Sequence, residues 1–101
     1  MLTYITKETW LPVPEAISPR EEIFVSIDLS IDTDEESVWI ETVHRDGTSV
    51  SPMDAIFEIA EKWVFDRTGY LLREAEMAEI ERAADLGIHV RRKPYRFSEY
   101  L

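Results

Sequence analysis

Apolar and polar residues alternate most clearly between positions 22 and 44. Every second residue from Ile23 to Ile31 is apolar, which is the period of a β-strand that buries one face. A polar stretch at 32–37 follows, and a second strand-like run occupies 38–44. Two such runs joined by a polar loop predict an antiparallel hairpin over 22–44.

After position 50 the apolar period becomes that of a helix. Ser51 can cap a helix and Pro52 suits its first turn. The apolar residues that follow have i, i+3, i+4 and i+7 spacing, namely Met53, Ile56, Phe57, Ala60, Trp63 and Val64. This stripe predicts a helix over 51–68 that stops at Gly69. A second helix is predicted over 71–86, with the apolar residues Leu72, Met77, Ile80, Ala83 and Ala84.

The remaining segments complete a small two-layer fold. Residues 1–20 contain three prolines and are expected to form a lead-in that packs over the core, with a short strand near 3–6. Residues 88–92 are expected to return to the sheet as a short strand. Strands followed by helices predict one α+β domain over 1–101, with a small antiparallel sheet packed against two helices.

The chain has no cysteine, which excludes disulfides and thiolate metal sites and is usual for a cytoplasmic protein. The first residues have neither the basic nor the apolar region of a signal peptide. No apolar run approaches the roughly 20 residues of a membrane span. We therefore expect a cytoplasmic protein without membrane association.

Negative charge is concentrated in the middle of the chain. Residues 21–68 contain 13 acidic and three basic side chains, and the remainder is balanced, so the net charge of −10 arises there. Direct binding to nucleic acid or to an anionic membrane requires the opposite sign. The expected partner is therefore a basic protein, such as a nucleic-acid-binding protein or a nuclease.

The hairpin places part of this charge on one face. If the loop at 32–37 closes it, Leu29 lies opposite Ile40 on the core side, and Asp28 lies opposite Glu41 on the outer side. Opposed like charges destabilise a sheet, so this pair suggests a functional demand. Carboxylates at alternate strand positions would be about 6.7 Å apart, close to the rise of about 6.8 Å over two nucleotides of DNA.

The same register places Trp39 and Val43 on the outer face, where an apolar pair inside an acidic rim resembles a protein interface. The alternative is that the N-terminal segment, with Tyr4 or Trp10, covers them. A second alternative is that the acids form only a solvated, solubilising surface. The candidate partner-binding residues are Asp28, Asp32, Asp34, Glu35, Glu36, Trp39, Glu41 and Val43.

Neither a metal site nor a catalytic site is expected. The spacing of Asp32, Asp34 and Glu36 resembles the start of an EF-hand loop, but Ser37 and Val43 replace the glycine and glutamate that the loop needs. His44 and His89 lack an accompanying nucleophile pattern and helical metal spacing. We therefore expect no cofactor and no enzymatic activity.

In size and charge the chain resembles small acidic phage-borne inhibitors, such as anti-CRISPR proteins and inhibitors of restriction enzymes or glycosylases. The resemblance implies a non-catalytic inhibitor that mimics DNA and occupies the basic groove of a nucleic-acid-binding protein. An immunity protein that neutralises a basic toxin is one alternative. A structural or regulatory subunit that forms a homodimer through Trp39 and Val43 is another. The basic run at 91–93 is expected to pair with the acidic face, in the same chain or a neighbouring subunit.

Overall fold

A computed structural model describes residues 1–85 of the chain. Four strands form one antiparallel sheet in the order β1-β2-β3-β4, and two helices pack against it. The elements are β1 (Leu2–Pro12), β2 (Glu22–Asp32), β3 (Ser37–Arg45), β4 (Thr48–Ser49), α1 (Ala55–Asp66) and α2 (Thr68–Asp85). The predicted α+β class is confirmed. The strand predicted at 88–92 lies outside the described residues.

The hydrophobic core lies between the sheet and the helices. All five apolar residues at alternate positions of β2 are buried, and Leu11 and Val13 from the N-terminal segment join them. The helices contribute Ile56, Ala60, Val64, Leu71 and Ala75. The alternation in β2 therefore has the predicted cause, which is one buried and one outward face.

β1 is much longer than the short strand expected near 3–6. It pairs with β2 along its whole length, from Leu2 opposite Asp32 to Pro12 opposite Glu22. Its odd positions face the core, where Thr3 and Leu11 are buried, and its even positions face outward. Pro12 ends this strand at the edge of the sheet, where a missing N–H donor is tolerated.

The β2–β3 pairing corrects the predicted register at one residue. Leu29 lies opposite Ile40 as expected, but Asp28 lies opposite Thr42 because a β-bulge shifts the register between these pairs. Glu41 is the additional residue on β3. The predicted pairing of Asp28 with Glu41 is therefore wrong, since a bulge sets two residues of one strand against one of the other.

The bulge also reverses the predicted orientation of Val43. This residue lies opposite Ile27 and is 0% exposed. One extra residue in a strand turns every later side chain to the other face, because the side-chain period is two. Val43 therefore belongs to the hydrophobic core, and its expected place on the outer face is wrong.

Two turns with left-handed residues close the hairpins. In the β2–β3 loop, Asp32 Oδ1 accepts hydrogen bonds from the backbone N–H groups of Asp34 and Glu35, at 3.0 and 3.2 Å. Between β3 and β4, Asp46 and Gly47 have φ angles of 52° and 77°. Two successive positive φ angles suit a tight hairpin turn, and Asp-Gly is a favoured sequence for it.

The start of α1 lies four residues later than predicted. Asp54 is the N-cap, and its side chain accepts a hydrogen bond from the backbone N–H of Ile56 at 2.9 Å. Ser51 caps only a preceding turn, through the N–H of Met53 at 3.2 Å. Met53 is consequently outside the helix and 94% exposed. Asp and Ser cap helices about equally well, so the cap position could not be chosen from residue type.

The junction between the helices is Arg67 rather than Gly69, which lies in the first turn of α2. The hydroxyl of Thr68 donates to the carbonyl groups of Val64 and Phe65 at 3.3 and 3.0 Å. This side chain adds a second donor to carbonyl oxygens at the end of α1, which also accept the backbone N–H of Arg67.

α2 buries a stripe that includes a carboxylate. Leu71, Ala75 and Ala83 are buried, whereas Met77, predicted to face the core, is 50% exposed. Glu79 lies on the same stripe and accepts hydrogen bonds from the buried hydroxyls of Thr3 and Thr33, at 2.8 and 3.0 Å. Within residues 1–85, no helix has the length and hydropathy needed to cross a bilayer.

Candidate functional site

Both described helices contact the same face of the sheet, and no described element packs on the other, which we call the outer face. Its strand positions include four aromatic residues, Tyr4, Trp10, Phe24 and Trp39, which are between 41% and 71% exposed. Because β1 lies beside β2 within the sheet, it does not cover Trp39. The alternative in which the N-terminal segment buries Trp39 is therefore wrong.

The charged side chains of the outer face are predominantly acidic. Its outward strand positions include Glu8, Glu22, Asp28, Asp32 and the bulged Glu41, and none of the outward positions described is Lys or Arg. Lys7 is at an inward position and pairs with Glu74 of α2 at 2.5 Å. A uniformly negative face of this kind attracts basic surfaces and disfavours acidic ones.

Trp39 is held in place by the bulge. Glu41 Oε1 accepts a hydrogen bond from the indole Nε1–H of Trp39 at 2.8 Å and from the hydroxyl of Ser30 at 2.6 Å. Ser30 is 1% exposed although it lies on the outer face, opposite Trp39 and Tyr4. We call Ser30, Trp39 and Glu41 the Trp39 platform, since its hydrogen bonds fix an exposed indole in one orientation.

The same contacts determine the charge state of Glu41. The hydroxyl of Ser30, followed by the indole of Trp39, lowers the pKa of Glu41 below its ordinary value. Hydrogen bonds to a carboxylate favour its charged form. Glu41 therefore remains negative in mildly acidic solution.

A second polar group lies further along the sheet. Asp28 accepts hydrogen bonds from the hydroxyls of Thr42 and Thr6, at 2.6 and 2.7 Å, and His44 Nε2 lies 3.2 Å from its carboxylate. We call these four residues the Asp28 cluster. The pKa of Asp28 is lowered, first by Thr42, then by Thr6 and by His44. The cluster connects β1, β2 and β3 through one carboxylate.

The Asp28 cluster does not have the geometry of a catalytic triad. His44 Nε2 lies 3.1 Å from the hydroxyl of Thr42 and 3.2 Å from Asp28, so the same ring nitrogen contacts both groups. A triad uses opposite ring nitrogens for the nucleophile and the carboxylate. Among residues 1–85, no group of three or more His, Asp or Glu side chains is arranged to hold a metal ion.

The remaining predicted acids lie at the hairpin end of the outer face. Asp32 ends β2, and Asp34, Glu35 and Glu36 are exposed in the loop that follows it. Asp34 contacts the α-ammonium group of Met1. On β2 itself, Asp28 and Asp32 are four residues apart, about 13 Å along the strand. This separation is about twice the rise of about 6.8 Å over two nucleotides of DNA, because Ser30 occupies the outward position between the two carboxylates.

Sequence reasoning missed the aromatic residues at the opposite end of the outer face. Trp10 and Phe24 lie opposite each other, with ring centroids 5.3 Å apart. Trp10 also borders an open groove of about 760 Å³ against α1, whose walls include Pro12 and Trp63. The available signal was the alternation of β1, but polar residues at inward positions, such as Lys7 and Thr9, obscured it.

Of the predicted partner-binding residues, the structure places Asp28, Asp32, Trp39 and Glu41 on the outer face. Asp34, Glu35 and Glu36 lie in the loop beside it, and Val43 lies in the core. No protein-family model, curated protein or solved structure matches the chain.

Proposed function

We propose that the domain is a non-catalytic, acidic protein-binding inhibitor whose outer face docks in the basic groove of a nucleic-acid-binding protein. The observation that carries the proposal is the Trp39 platform. An indole that is 41% exposed is nevertheless fixed by a hydrogen bond to Glu41 and surrounded by acids. A rigid aromatic residue within a polar rim is typical of interface hot spots.

The charge of the face supports a basic partner. The whole net charge of −10 arises within residues 21–68, which include β2 and β3. Lowered pKa values keep Asp28 and Glu41 ionised at neutral and mildly acidic pH. Complementary charge accelerates association and suppresses binding to acidic proteins. We therefore expect a fast, salt-sensitive encounter with a basic groove.

The combination of carboxylates and aromatic rings suits a groove that ordinarily holds nucleic acid. Such grooves offer Lys and Arg to phosphates and stacking surfaces to bases. Asp28 and Asp32 offer negative charge, while Tyr4 and Trp39 offer ring faces. The mimicry proposed here is of charge and stacking, because the carboxylates of β2 do not repeat the phosphate spacing. A phage-encoded inhibitor of the anti-CRISPR kind would use such a surface.

An immunity protein that neutralises a basic nuclease would use the same surface and the same physics. The partner distinguishes the two functions. A toxin whose activity is blocked by the domain favours immunity, and a host nucleic-acid-binding enzyme favours the inhibitor.

A homodimer through Trp39 and Val43 is no longer a good alternative. Val43 is fully buried, which leaves Trp39 without its proposed apolar neighbour. Two copies of the outer face would also bring like charges together.

A matched pair of charge reversals tests the proposal. Asp32→Lys with Glu35→Lys changes the hairpin end of the outer face, and Glu58→Lys with Glu61→Lys makes the same change in net charge on exposed positions of α1. Each variant is used to capture basic nucleic-acid-binding proteins from lysate at low and high salt, and the captured proteins are identified by mass spectrometry.

We expect the outer-face variant to lose a partner that wild type and the α1 variant both retain at low salt and release at high salt. The captured protein should also lose its nucleic acid when the domain is added. Equal capture by both variants would contradict the proposal.

A further inference from the structure

The C-terminal 16 residues have the opposite charge to the rest of the chain. Residues 86–101 contain four basic side chains and one acidic one, whereas residues 1–85 contain seven basic and 20 acidic ones. The bases are interleaved with aromatic residues in the run Arg91-Arg92-Lys93-Pro94-Tyr95-Arg96-Phe97. This run has the composition expected of a ligand for an acidic, aromatic surface.

The contacts of α2 show where this segment begins. Glu74 binds Lys7, and Glu79, five residues later, binds Thr3. The helix therefore runs toward the end of the sheet where β1 begins and where the β2–β3 loop closes. Asp85 lies six residues beyond Glu79, about 9 Å further along the helix axis. The chain consequently leaves the described fold at the hairpin end, beside the loop acids.

The length of the segment is sufficient to reach the outer face from that point. Position 91 is six residues beyond Asp85 and can lie up to about 20 Å away, and position 97 up to about 40 Å. The helix and sheet layers are separated by only about 10 Å, the usual spacing of packed layers. Trp39 is two residues from the start of β3, so it lies within this reach.

The outer face is a better electrostatic match than the exposed surfaces of the helices. Its outward strand positions include no Lys or Arg among the described residues, whereas α1 includes Lys62 and α2 includes Arg73 and Arg82. The two helices together also carry eight acids, so a basic segment meets charges of both signs there. The outward strand positions offer it acids, His44 and uncharged side chains, and the α-ammonium group of Met1 lies 3.7 Å from Asp32. Exposed Tyr4 and Trp39 also offer faces for guanidinium groups and rings.

We propose that residues 91–97 dock on the hairpin end of the outer face of the same molecule. The proposed interactions are ion pairing of its basic side chains with Asp32 and the loop acids, and stacking of its aromatic rings on Tyr4 and Trp39. The segment then occupies the surface that we propose for the basic partner. If that function is correct, the partner must displace the segment, which makes the segment an intramolecular competitor.

The absence of cysteine allows a direct test on the full chain. Ser98→Cys provides a single attachment point for a nitroxide spin label, and the three tryptophans provide three indole N–H signals. Trp39 reports on the hairpin end of the outer face, Trp10 on its opposite end and Trp63 on α1. The measurement compares indole signal intensities with the label oxidised and reduced.

We expect the largest loss of intensity at Trp39 and the smallest at Trp63, and we expect added salt to restore the Trp39 signal. The charge-reversal variant with Arg91→Glu, Arg92→Glu and Lys93→Glu should also restore the Trp39 signal. The matched variant with Arg91→Lys, Arg92→Lys and Lys93→Arg keeps the charge and should retain the loss of Trp39 signal intensity.

Equal losses at the three indoles, or the largest loss at Trp63, would overturn the proposal. A sample that mixes isotope-labelled chain without nitroxide and unlabelled chain with nitroxide separates the two modes of docking. Loss at Trp39 in that mixture would place the segment on a neighbouring molecule and overturn the intramolecular version. These measurements do not include the partner protein, so a negative result would contradict the docking of the segment but not the proposed function. A negative result in the partner-capture experiment would contradict the proposed function but not the docking.

Discussion

Glu41 determines the orientation of Val43 and of Trp39. As the extra residue of the bulge it turns Val43 into the core, and its carboxylate accepts hydrogen bonds from Ser30 and Trp39. The predicted opposition of Asp28 and Glu41 suggested that like charges were held together at a cost. The structure instead sets Thr42 opposite Asp28 and gives both carboxylates hydroxyl donors, which favour their charged forms.

Removing the acceptor at position 41 is expected to destabilise the fold. Glu41→Ala leaves the nearly buried hydroxyl of Ser30 without its acceptor and should lower the free energy of unfolding. Glu41→Gln retains a side-chain oxygen and should cost less. Urea unfolding of both variants measures the difference. Equal stability of Glu41→Ala and wild type would show that the platform does not contribute to folding.

Asp28 is expected to stabilise the fold in a pH-dependent way. Its pKa is lowered in the folded state, so the folded protein releases this proton more readily than the unfolded chain. The stabilisation is complete above the unfolded pKa of about 3.9 and is lost as the pH falls through the lower folded value. Wild type should therefore exceed Asp28→Asn in stability at pH 7, and the difference should shrink below about pH 4.

Thr42→Val is the matched variant, because the Thr42 hydroxyl is the largest cause of the lowered pKa of Asp28. In Thr42→Val, the pKa of Asp28, followed by carboxyl NMR signals, should move back toward its ordinary value. A stability difference between wild type and Asp28→Asn that is the same at pH 7 and pH 2 would contradict this explanation.

At the scale of elements, the sequence predicted those whose apolar period was uninterrupted. Every inward position of β2 from Ile23 to Ile31 is apolar and α1 has a regular apolar stripe, and both elements were found. β1 was mostly missed because Thr3, Lys7 and Thr9 occupy inward positions, so its pattern appears polar throughout. In the same way, the half-buried Glu79 of α2 binds two buried threonines, which no hydrophobic pattern indicates.

The bulge was also not predicted, because its one signal is the change from even to odd apolar positions between Ile40 and Val43. A single residue out of phase reads equally well as an outward apolar side chain. The bulge decided the composition of the candidate site. Asp28, Trp39 and Glu41 lie on the outer face as expected, whereas Val43 does not. The hydroxyl donors Thr6 and Ser30 could not be identified because their roles depend on pairing across three strands.

The position of the α1 cap gives a prediction at this scale. Asp54→Ala removes the acceptor for the N–H of Ile56 and is expected to cost about 1 kcal/mol. Ser51→Ala changes the residue that the sequence suggested as the cap and should change stability by less than about 0.5 kcal/mol. Thermal unfolding of both variants makes the comparison. A larger effect of Ser51→Ala would contradict the observed start of the helix.

At the scale of the whole molecule, the fold separates its two surfaces by chemistry. The helices cover one side of the sheet and carry charges of both signs, while the outward strand positions of the other side carry acids and aromatic rings without Lys or Arg in the described residues. The oppositely charged segment 91–97 follows the last helix. An acidic docking surface and its own competing ligand would thus be encoded in one chain of 101 residues.

Binding of a basic protein by the outer face, through Trp39, is the central part of the proposed function. Trp39→Ala and Phe65→Ala each remove one exposed aromatic side chain, the first from the outer face and the second from α1, where Phe65 is 79% exposed. The direct test is a titration of the captured partner with wild type and both variants. We predict at least tenfold weaker binding for Trp39→Ala, equivalent to about 1.4 kcal/mol, and unchanged binding for Phe65→Ala. Wild-type affinity for Trp39→Ala, or a larger loss for Phe65→Ala, would contradict the proposed function.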